Sequence, residues 1–140
     1  MKIDFHTHLG PSLALGFTVT AEEILRQMAE SGVDRAVVFP FPSAAVADNT
    51  MNQWILEEAE RRKVFYPFYY APDDLTPPPE GSPFLGVKWH WVRGISDQSS
   101  NYSVLEDPRL EGFAKSVGEK RLPVIFEEEL EFTRRFVEMY

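Results

Sequence analysis

The chain has 140 residues, a length that suits one domain, and 44% of them are hydrophobic, which argues against disorder. Its 22 acidic and 14 basic residues give a formal net charge of −8, which disfavours binding to nucleic acid. The absence of cysteine excludes disulfides and thiolate ligands and fits a cytoplasmic protein, and no apolar run reaches the roughly 18 residues of a membrane span.

The first predicted strand runs from Ile3 to His8 and carries two histidines separated by one residue. Side chains at positions i and i+2 of a strand point to the same face, so His6 and His8 are expected to converge on one metal ion. The alternative is that one ring bonds to the backbone while the other faces solvent. Asp4 lies on the same face and is expected either to accept a hydrogen bond from an imidazole N–H or to cap the strand.

The next segments predict a helix, a buried strand and a second helix. Thr20 to Glu23 form a capping box that begins the first helix, and Gly32 ends it. The strand at Arg35–Phe39 lacks alternation, which is typical of a parallel strand covered on both faces. Asp48 or Asn49 is expected to cap the second helix.

The rest of the chain alternates predicted strands with loops and helices. In order these are a strand at Val64–Ala71, a proline-rich loop at Pro72–Pro83, a strand at Phe84–His90, a polar loop at Trp91–Asp107, a helix from Pro108 to about Gly118, a strand at Leu122–Glu127 and a helix at Glu129–Tyr140. This order predicts parallel strands with helical crossovers, and such folds bind ligands at the carboxyl ends of their strands.

The residues capable of chemistry follow the strands at those carboxyl ends. They are His6 and His8 on the first strand, Lys88 and His90 on the fourth, and Glu127 on the fifth. The predicted topology and the residue types therefore indicate the same site.

These segments resemble the amidohydrolase superfamily, in particular its amidohydrolase-2 branch of metal-dependent TIM-barrel hydrolases and related decarboxylases. The resemblance rests on Ile-Asp-Phe-His-Thr-His at 3–8, Gly-Val-Lys-Trp-His at 86–90, Leu-Pro-Val-Ile-Phe-Glu at 122–127, Asn49 and Asp-Pro-Arg at 107–109. It implies an α/β fold of TIM-barrel-like (βα) units, of which about five of eight are present. Residues 1–140 are then the N-terminal part of such a barrel.

The resemblance implies that His6 and His8 are metal ligands, whereas Glu127 stands where the family usually has a histidine. A carboxylate also binds zinc, manganese or iron, so the expected cofactor is a divalent metal, with zinc preferred. The alternative is that Glu127 merely belongs to the acidic run 127–129, which suits the start of a helix.

Three further residues are expected to bind the substrate. Lys88 is expected to face the substrate or a hydrogen-bond partner, with a metal-bridging or a solvated lysine as alternatives. His90 is expected to touch the substrate or metal-bound water, or to form a local backbone bond. Arg93 is expected to pair with a substrate carboxylate through its planar guanidinium, or else to be solvated.

A closed TIM barrel typically has about 250 residues, so the chain is expected to be part of a longer barrel. The alternatives are that the chain pairs with a second chain to close the sheet, or that it is a shortened relative of the family. The family's final-strand aspartate, its usual base, has no counterpart here.

The expected function is a metal-dependent hydrolase acting on an amide, ester or lactone of a small molecule. The alternatives are a non-oxidative decarboxylase of an aromatic acid, a catalytically inactive binding module and, with poorer agreement, a phosphoesterase of the polymerase-and-histidinol-phosphatase type. The loops at 72–83 and 91–107 are expected to form the pocket rim, and their aromatic residues favour an apolar or aromatic ligand.

Overall fold

The computed structural model describes residues 1–42 and 50–140. Its strands are β1 (Ile3–His8), β2 (Gly10–Ser12), β3 (Phe17–Val19), β4 (Arg35–Phe39), β5 (Phe65–Tyr70), β6 (Gly86–Trp89), β7 (Val92–Gly94), β8 (Asp97–Ser100) and β9 (Val124–Phe126). Its helices are α1 (Ala21–Ser31), α2 (Thr50–Arg61), α3 (Leu110–Glu119), α4 (Leu130–Met139) and a 3-10 helix at Tyr102–Glu106. The predicted cap at Asp48 or Asn49 lies outside the described residues.

Five strands form one parallel sheet in the order β1-β4-β5-β6-β9. The prediction of a mixed α/β fold with five parallel strands is therefore confirmed. The connection from β5 to β6 contains no helix, in agreement with the proline-rich loop predicted there. Two small antiparallel hairpins also form. The β7–β8 hairpin lies in the segment predicted as a polar loop, and the β2–β3 hairpin lies between the first predicted strand and the first predicted helix.

Alternate residues of the sheet face the helices and form two core clusters. One cluster packs Ala36, Val38 and Phe65 of the sheet against Ile24 of α1 and Ile55 of α2. The other joins β5, β6, the 3-10 helix, α3 and α4, and includes Trp89, Phe113 and Phe132. Burial of these apolar side chains supplies most of the free energy that holds the helices to the sheet.

The opposite face of the sheet carries a smaller apolar cluster of Val37, Phe39 and Phe68. A Cβ atom on Gly86 would lie 2.4 Å from the Phe68 ring and 2.7 Å from the backbone oxygen of Pro123. Glycine at this position therefore lets the Phe68 ring fill the space beside β6.

The parallel sheet is curled. A flat sheet would separate the edge strands β1 and β9 by four strand spacings, about 19 Å. Instead, Nε2 of His6 on β1 lies 3.1 Å from Oε2 of Glu127, which follows β9. Each of these side chains reaches only about 5 Å from its Cα atom. The two edges therefore approach one another across the concave face, as in half of a barrel.

The helix ends partly follow the sequence signals. The capping box between Thr20 and Glu23 is formed, and Gly32 ends α1 with a φ of 64°. Helix α3 begins at Leu110 rather than at Pro108. The Asp107 carboxylate accepts a hydrogen bond from the Arg109 N–H at 2.9 Å, which places a turn before the first helical residue.

None of the helices in the described part of the chain is both long and apolar enough to cross a lipid bilayer.

Candidate metal centre

Two histidines and a glutamate meet on the concave face of the curled sheet. Nε2 of His6 lies 3.3 Å from Nε2 of His8 and 3.1 Å from Oε2 of Glu127. The three ligand atoms all lie within 4.8 Å of one another. The predicted convergence of His6 and His8 is therefore present, and Glu127 joins them from the other edge of the sheet.

The spacing of these atoms fits a divalent metal ion. Zinc binds histidine nitrogen and carboxylate oxygen at about 2.0–2.2 Å, so two ligands in a tetrahedral site lie about 3.3 Å apart. The contacts of His6 at 3.3 Å and 3.1 Å are close to that value and are also hydrogen-bond distances, while all three ligand atoms lie within 4.8 Å of one another. Neutral imidazoles with a carboxylate are also a common donor set for zinc, manganese and iron.

His8 is held in the protonation state that a ligand needs. Its Nδ1 lies 3.0 Å from the carbonyl oxygen of Pro40. A carbonyl can only accept, so we assign the proton to Nδ1, which leaves the Nε2 lone pair facing the cluster. Burial lowers the pKa of His8 to about 4, and the ring is therefore neutral near pH 7. Phe41 stacks on this ring with centroids 4.7 Å apart.

Asp4 supports the strand rather than an imidazole. Its carboxylate accepts a hydrogen bond from the backbone N–H of His6 at 3.0 Å. The pairing of β1 with β4 shifts register between Asp4 and Thr7, and such irregularities re-aim side chains near sites. Of the two roles predicted for Asp4, the structure shows the local backbone role.

Lys88 is fully buried below the cluster, where its ammonium contacts Oε2 of Glu127. Burial lowers the pKa of Lys88, and the hydrogen bond to Glu127 partly opposes that shift. Burial would also raise the pKa of Glu127, but the hydrogen bond and charge of Lys88 outweigh it, and the pKa lies below its ordinary value. Lys88 is thus not solvated, and Glu127 stays ionised at neutral pH.

His90 lies at the margin of the cluster. Its Nδ1 is 3.7 Å from Oε2 of Glu127, which is too far for a hydrogen bond. This nitrogen atom makes no hydrogen bond to any described residue. Its Nε2 lies 3.3 Å from the backbone oxygen of Gln98, and Tyr70 donates a hydrogen bond to the His90 carbonyl at 2.6 Å. Burial lowers the pKa of His90. The local backbone bond that was the alternative for His90 is thus formed, while its ring still faces Glu127.

Arg93 is on the exposed β7–β8 hairpin, where its guanidinium lies 3.8 Å from the Asp97 carboxylate. The structure brings the other predicted site residues together and places Arg93 in this separate ion pair. A role for Arg93 in substrate binding stays a prediction.

Glu128 had no predicted role. Its carboxylate accepts hydrogen bonds from the Trp91 N–H and the Ser100 hydroxyl, and these bonds join the β7–β8 hairpin to the end of β9. Burial raises the pKa of Glu128 to about 7. One feature of the sequence does distinguish Glu127 from Glu128. Glu127 lies two positions after Ile125, whose side chain belongs to the concave face, so the alternation of a strand places Glu127 on that face as well.

Two of the three side chains of the cluster are partly exposed. The side chains of His6 and Glu127 are each 43% exposed. A cavity of about 680 Å³ lies between α2 and the loop before β6. A second groove, of about 450 Å³ and mostly apolar, lies between α3 and α4. Neither cavity is lined by residues of the cluster, so cavity size alone does not point to it.

Comparisons of the chain with protein-family models, with curated proteins and with solved structures gave no match. The resemblance to the amidohydrolase-2 branch is therefore a hypothesis. The support for the site comes from the geometry of its own residues.

Proposed function

We propose that the chain binds a divalent metal ion through His6, His8 and Glu127, and that it acts as a metal-dependent hydrolase on an amide, ester or lactone of a small molecule. The observation that carries this proposal is the convergence of two imidazole nitrogens and one carboxylate oxygen at contacts of 3.3 Å and 3.1 Å. These atoms come from the ends of β1 and β9, about 120 residues apart in the sequence. Their convergence therefore depends on the fold and is not a contact between neighbours along the chain.

Each residue of the cluster has a distinct role in this proposal. His8, with its proton on Nδ1, offers a neutral nitrogen, and His6 offers a second ring nitrogen beside it. Glu127 supplies the anionic ligand. A divalent metal held there would supply Lewis acidity, which polarises a carbonyl group and makes water a better nucleophile.

Lys88 positions Glu127 and limits the affinity for metal. Its ammonium fixes Oε2 of Glu127 from the buried side of the cluster and keeps the carboxylate ionised. The same positive charge repels a divalent cation, so we expect weaker binding than at a similar site without a lysine. Lys88 is also the buried hydrogen-bond donor closest to Glu127. In this proposal it is the donor available to an oxygen atom of the substrate.

We also propose that the half-barrel represents about five of the eight units of a TIM-barrel-like fold. In a closed eight-stranded barrel the first and fifth strands face one another across the interior. The contact of His6 on β1 with Glu127 after β9, the fifth parallel strand, supports that curvature. A cytoplasmic location, which the cysteine-free composition favours, belongs to this proposal as well.

A metal-free binding module is the second candidate, and the contact between Lys88 and Glu127 favours it. A buried ammonium can compensate the carboxylate without any metal, because the pair neutralises itself. In that case the cluster binds a small anion or carbonyl compound and performs no chemistry. The decarboxylase alternative shares the metal site but takes an aromatic acid as its substrate, and it breaks the bond between the ring and the carboxyl group instead of an amide, ester or lactone bond.

Metal binding by the purified chain tests the proposal. Zinc, manganese and ferrous iron are titrated into the metal-free protein at neutral pH by calorimetry, with elemental analysis after dialysis. We expect about one equivalent of zinc, and at least about a tenfold loss of affinity in the His6→Ala/His8→Ala variant. His90→Ala removes the third histidine without removing a ligand and serves as the matched control.

Two outcomes would count against the metal site. Equal zinc affinity in the wild type and the double variant would place the metal elsewhere. A folded wild-type chain that binds none of the three metals would favour the metal-free module.

A further inference from the structure

A row of aromatic rings leads from the metal cluster to the surface. The ring of Phe41 stacks on His8 with centroids 4.7 Å apart and planes 16° apart. The ring of Phe17, on β3, then meets Phe41 edge-on with centroids 5.8 Å apart. Two ring contacts therefore connect the candidate ligand His8 to the β2–β3 hairpin.

The outer end of this row is exposed although it is apolar. Phe17 is 49% exposed, and Leu15 at the hairpin turn is 65% exposed. A single exposed hydrophobic residue needs no explanation, but a contiguous apolar surface next to a polar cluster often binds a ligand. Here the surface is continuous with the cluster through Phe41.

The hairpin is held in a defined position. Gly10 has a φ of +100°, and a Cβ atom there would lie 2.8 Å from the ring of Trp54. Ser12 is 3% exposed, and its hydroxyl accepts a hydrogen bond from the Leu15 N–H at 3.2 Å. The base of the hairpin thus packs on α2, and Ser12 fixes the turn that carries Leu15. This arrangement holds Phe17, on the second strand of the hairpin, in its contact with Phe41.

We propose that Phe41, Phe17 and Leu15 form a subsite for the aromatic or apolar body of a small carboxylate or ester. The oxygen atoms of this ligand lie at the His6–His8–Glu127 cluster. The inference rests on the proposed function, because the metal supplies the positive charge that an oxygen-bearing group needs. The two phenylalanine rings supply apolar surface on which an aromatic body packs, face-on or edge-on.

Binding of benzoate and acetate to the zinc-loaded chain tests the subsite. Both probes carry the same carboxylate, so their difference reports the ring alone. We expect the wild-type chain to bind benzoate at least about tenfold more tightly than acetate, as measured by calorimetry. In Phe17→Ala most of this preference is lost, while the affinities for zinc and for acetate are unchanged.

Leu85→Ala is the matched control. Leu85 is 51% exposed, close to the value for Phe17, and it precedes β6 at the other end of the sheet. This variant should keep the full preference for benzoate. Leu15→Ser provides a second test at the hairpin turn if Phe17→Ala does not fold, and it should also reduce the preference.

The outcomes separate the subsite from the metal site. Equal affinity for the two probes, or an unchanged preference in folded Phe17→Ala and Leu15→Ser, overturns the subsite when zinc still binds. Failure of the wild-type chain to bind zinc overturns the proposed function and removes the basis of the subsite with it.

Discussion

At the scale of single residues, the candidate site depends on the proton of His8. The Pro40 carbonyl accepts a hydrogen bond from the Nδ1–H of His8, and burial disfavours a second proton on the ring. His8 is therefore a neutral ligand at a pH where an exposed histidine is partly charged. A backbone carbonyl 32 positions later in the sequence fixes which nitrogen faces the cluster.

The stability of the metal-free chain should depend on the protonation of His8. In the unfolded chain His8 takes up a proton near pH 6.5, whereas in the folded chain it does so only near pH 4. The unfolded state therefore binds more protons between these values, and stability is lost as the pH falls from 6.5 towards 4. The loss is about 3 kcal/mol.

Urea unfolding in EDTA at several pH values measures this loss, with His8→Gln as the comparison. The variant should lose about 3 kcal/mol less than the wild type over the same range, because His6 and His90 are retained. Parallel pH profiles for the two proteins would contradict the prediction.

The ion pair between Lys88 and Glu127 gives a second prediction at this scale. Glu127→Gln leaves a fully buried ammonium without its counter-charge, so we expect a loss of about 2 kcal/mol in the free energy of unfolding. Adding Lys88→Met to Glu127→Gln should recover most of that loss. Urea unfolding at neutral pH gives all three values.

Glu119→Gln is the control for this pair. Glu119 lies 3.9 Å from Lys115, and both side chains are mostly exposed, so its change should stay within about 0.5 kcal/mol. A similar small effect for Glu127→Gln would mean that Lys88 does not depend on Glu127.

At the scale of elements, local sequence explains the helix ends well. The capping box at Thr20 and Glu23 and the left-handed Gly32 both involve neighbours within a few residues. The hairpins are different, because their strands have only three or four residues and depend on distant partners. Trp54 packs under Gly10, and Glu128 binds Ser100.

Gly32 at the end of α1 and Gly112 inside α3 provide a matched pair of glycines. Gly32 has a φ of 64°, so Gly32→Ala should destabilise the chain by about 1 kcal/mol. Gly112 lies within α3 with nothing near its missing Cβ, so Gly112→Ala should stabilise by about 0.5–1 kcal/mol. Thermal or urea unfolding measures both, and changes of the same sign would contradict the assignment of the Gly32 cap.

At the scale of the whole molecule, the cluster joins the two edges of the sheet. His6 and His8 belong to β1 and Glu127 follows β9, and these are the outer strands of the described sheet. A metal ion bound by all three residues would connect the ends of the half-barrel. Its binding should therefore stabilise the entire fold rather than one loop.

Zinc at about 100 times its Kd should raise the free energy of unfolding by about 2.7 kcal/mol. Amide hydrogens of β1 and β9 should exchange more slowly with zinc present, and EDTA should reverse both effects. The His6→Ala/His8→Ala variant should show neither. Protection of only one edge strand in the wild type would mean that the metal does not bridge the sheet.

Much of the fold follows from patterns within short segments. The apolar run at 36–39 predicted a parallel strand at Arg35–Phe39, and the two histidines of β1 were expected on one face. Glu127 was ambiguous, because a run of three acids fits a helix start as well as a ligand. Glu128 was missed, because its partners Trp91 and Ser100 lie on a hairpin whose strands leave no clear periodicity.

The sequence by itself determined the five parallel strands, the helix caps and the shared face of His6 and His8. Each depends on periodicity or on backbone groups a few residues apart. Only the tertiary structure decided that Glu127 meets His6, that Lys88 is buried against it and that Phe17 extends the row of rings from His8. Those contacts depend on how strongly the sheet curls, which is set by packing between strands that are distant in the chain.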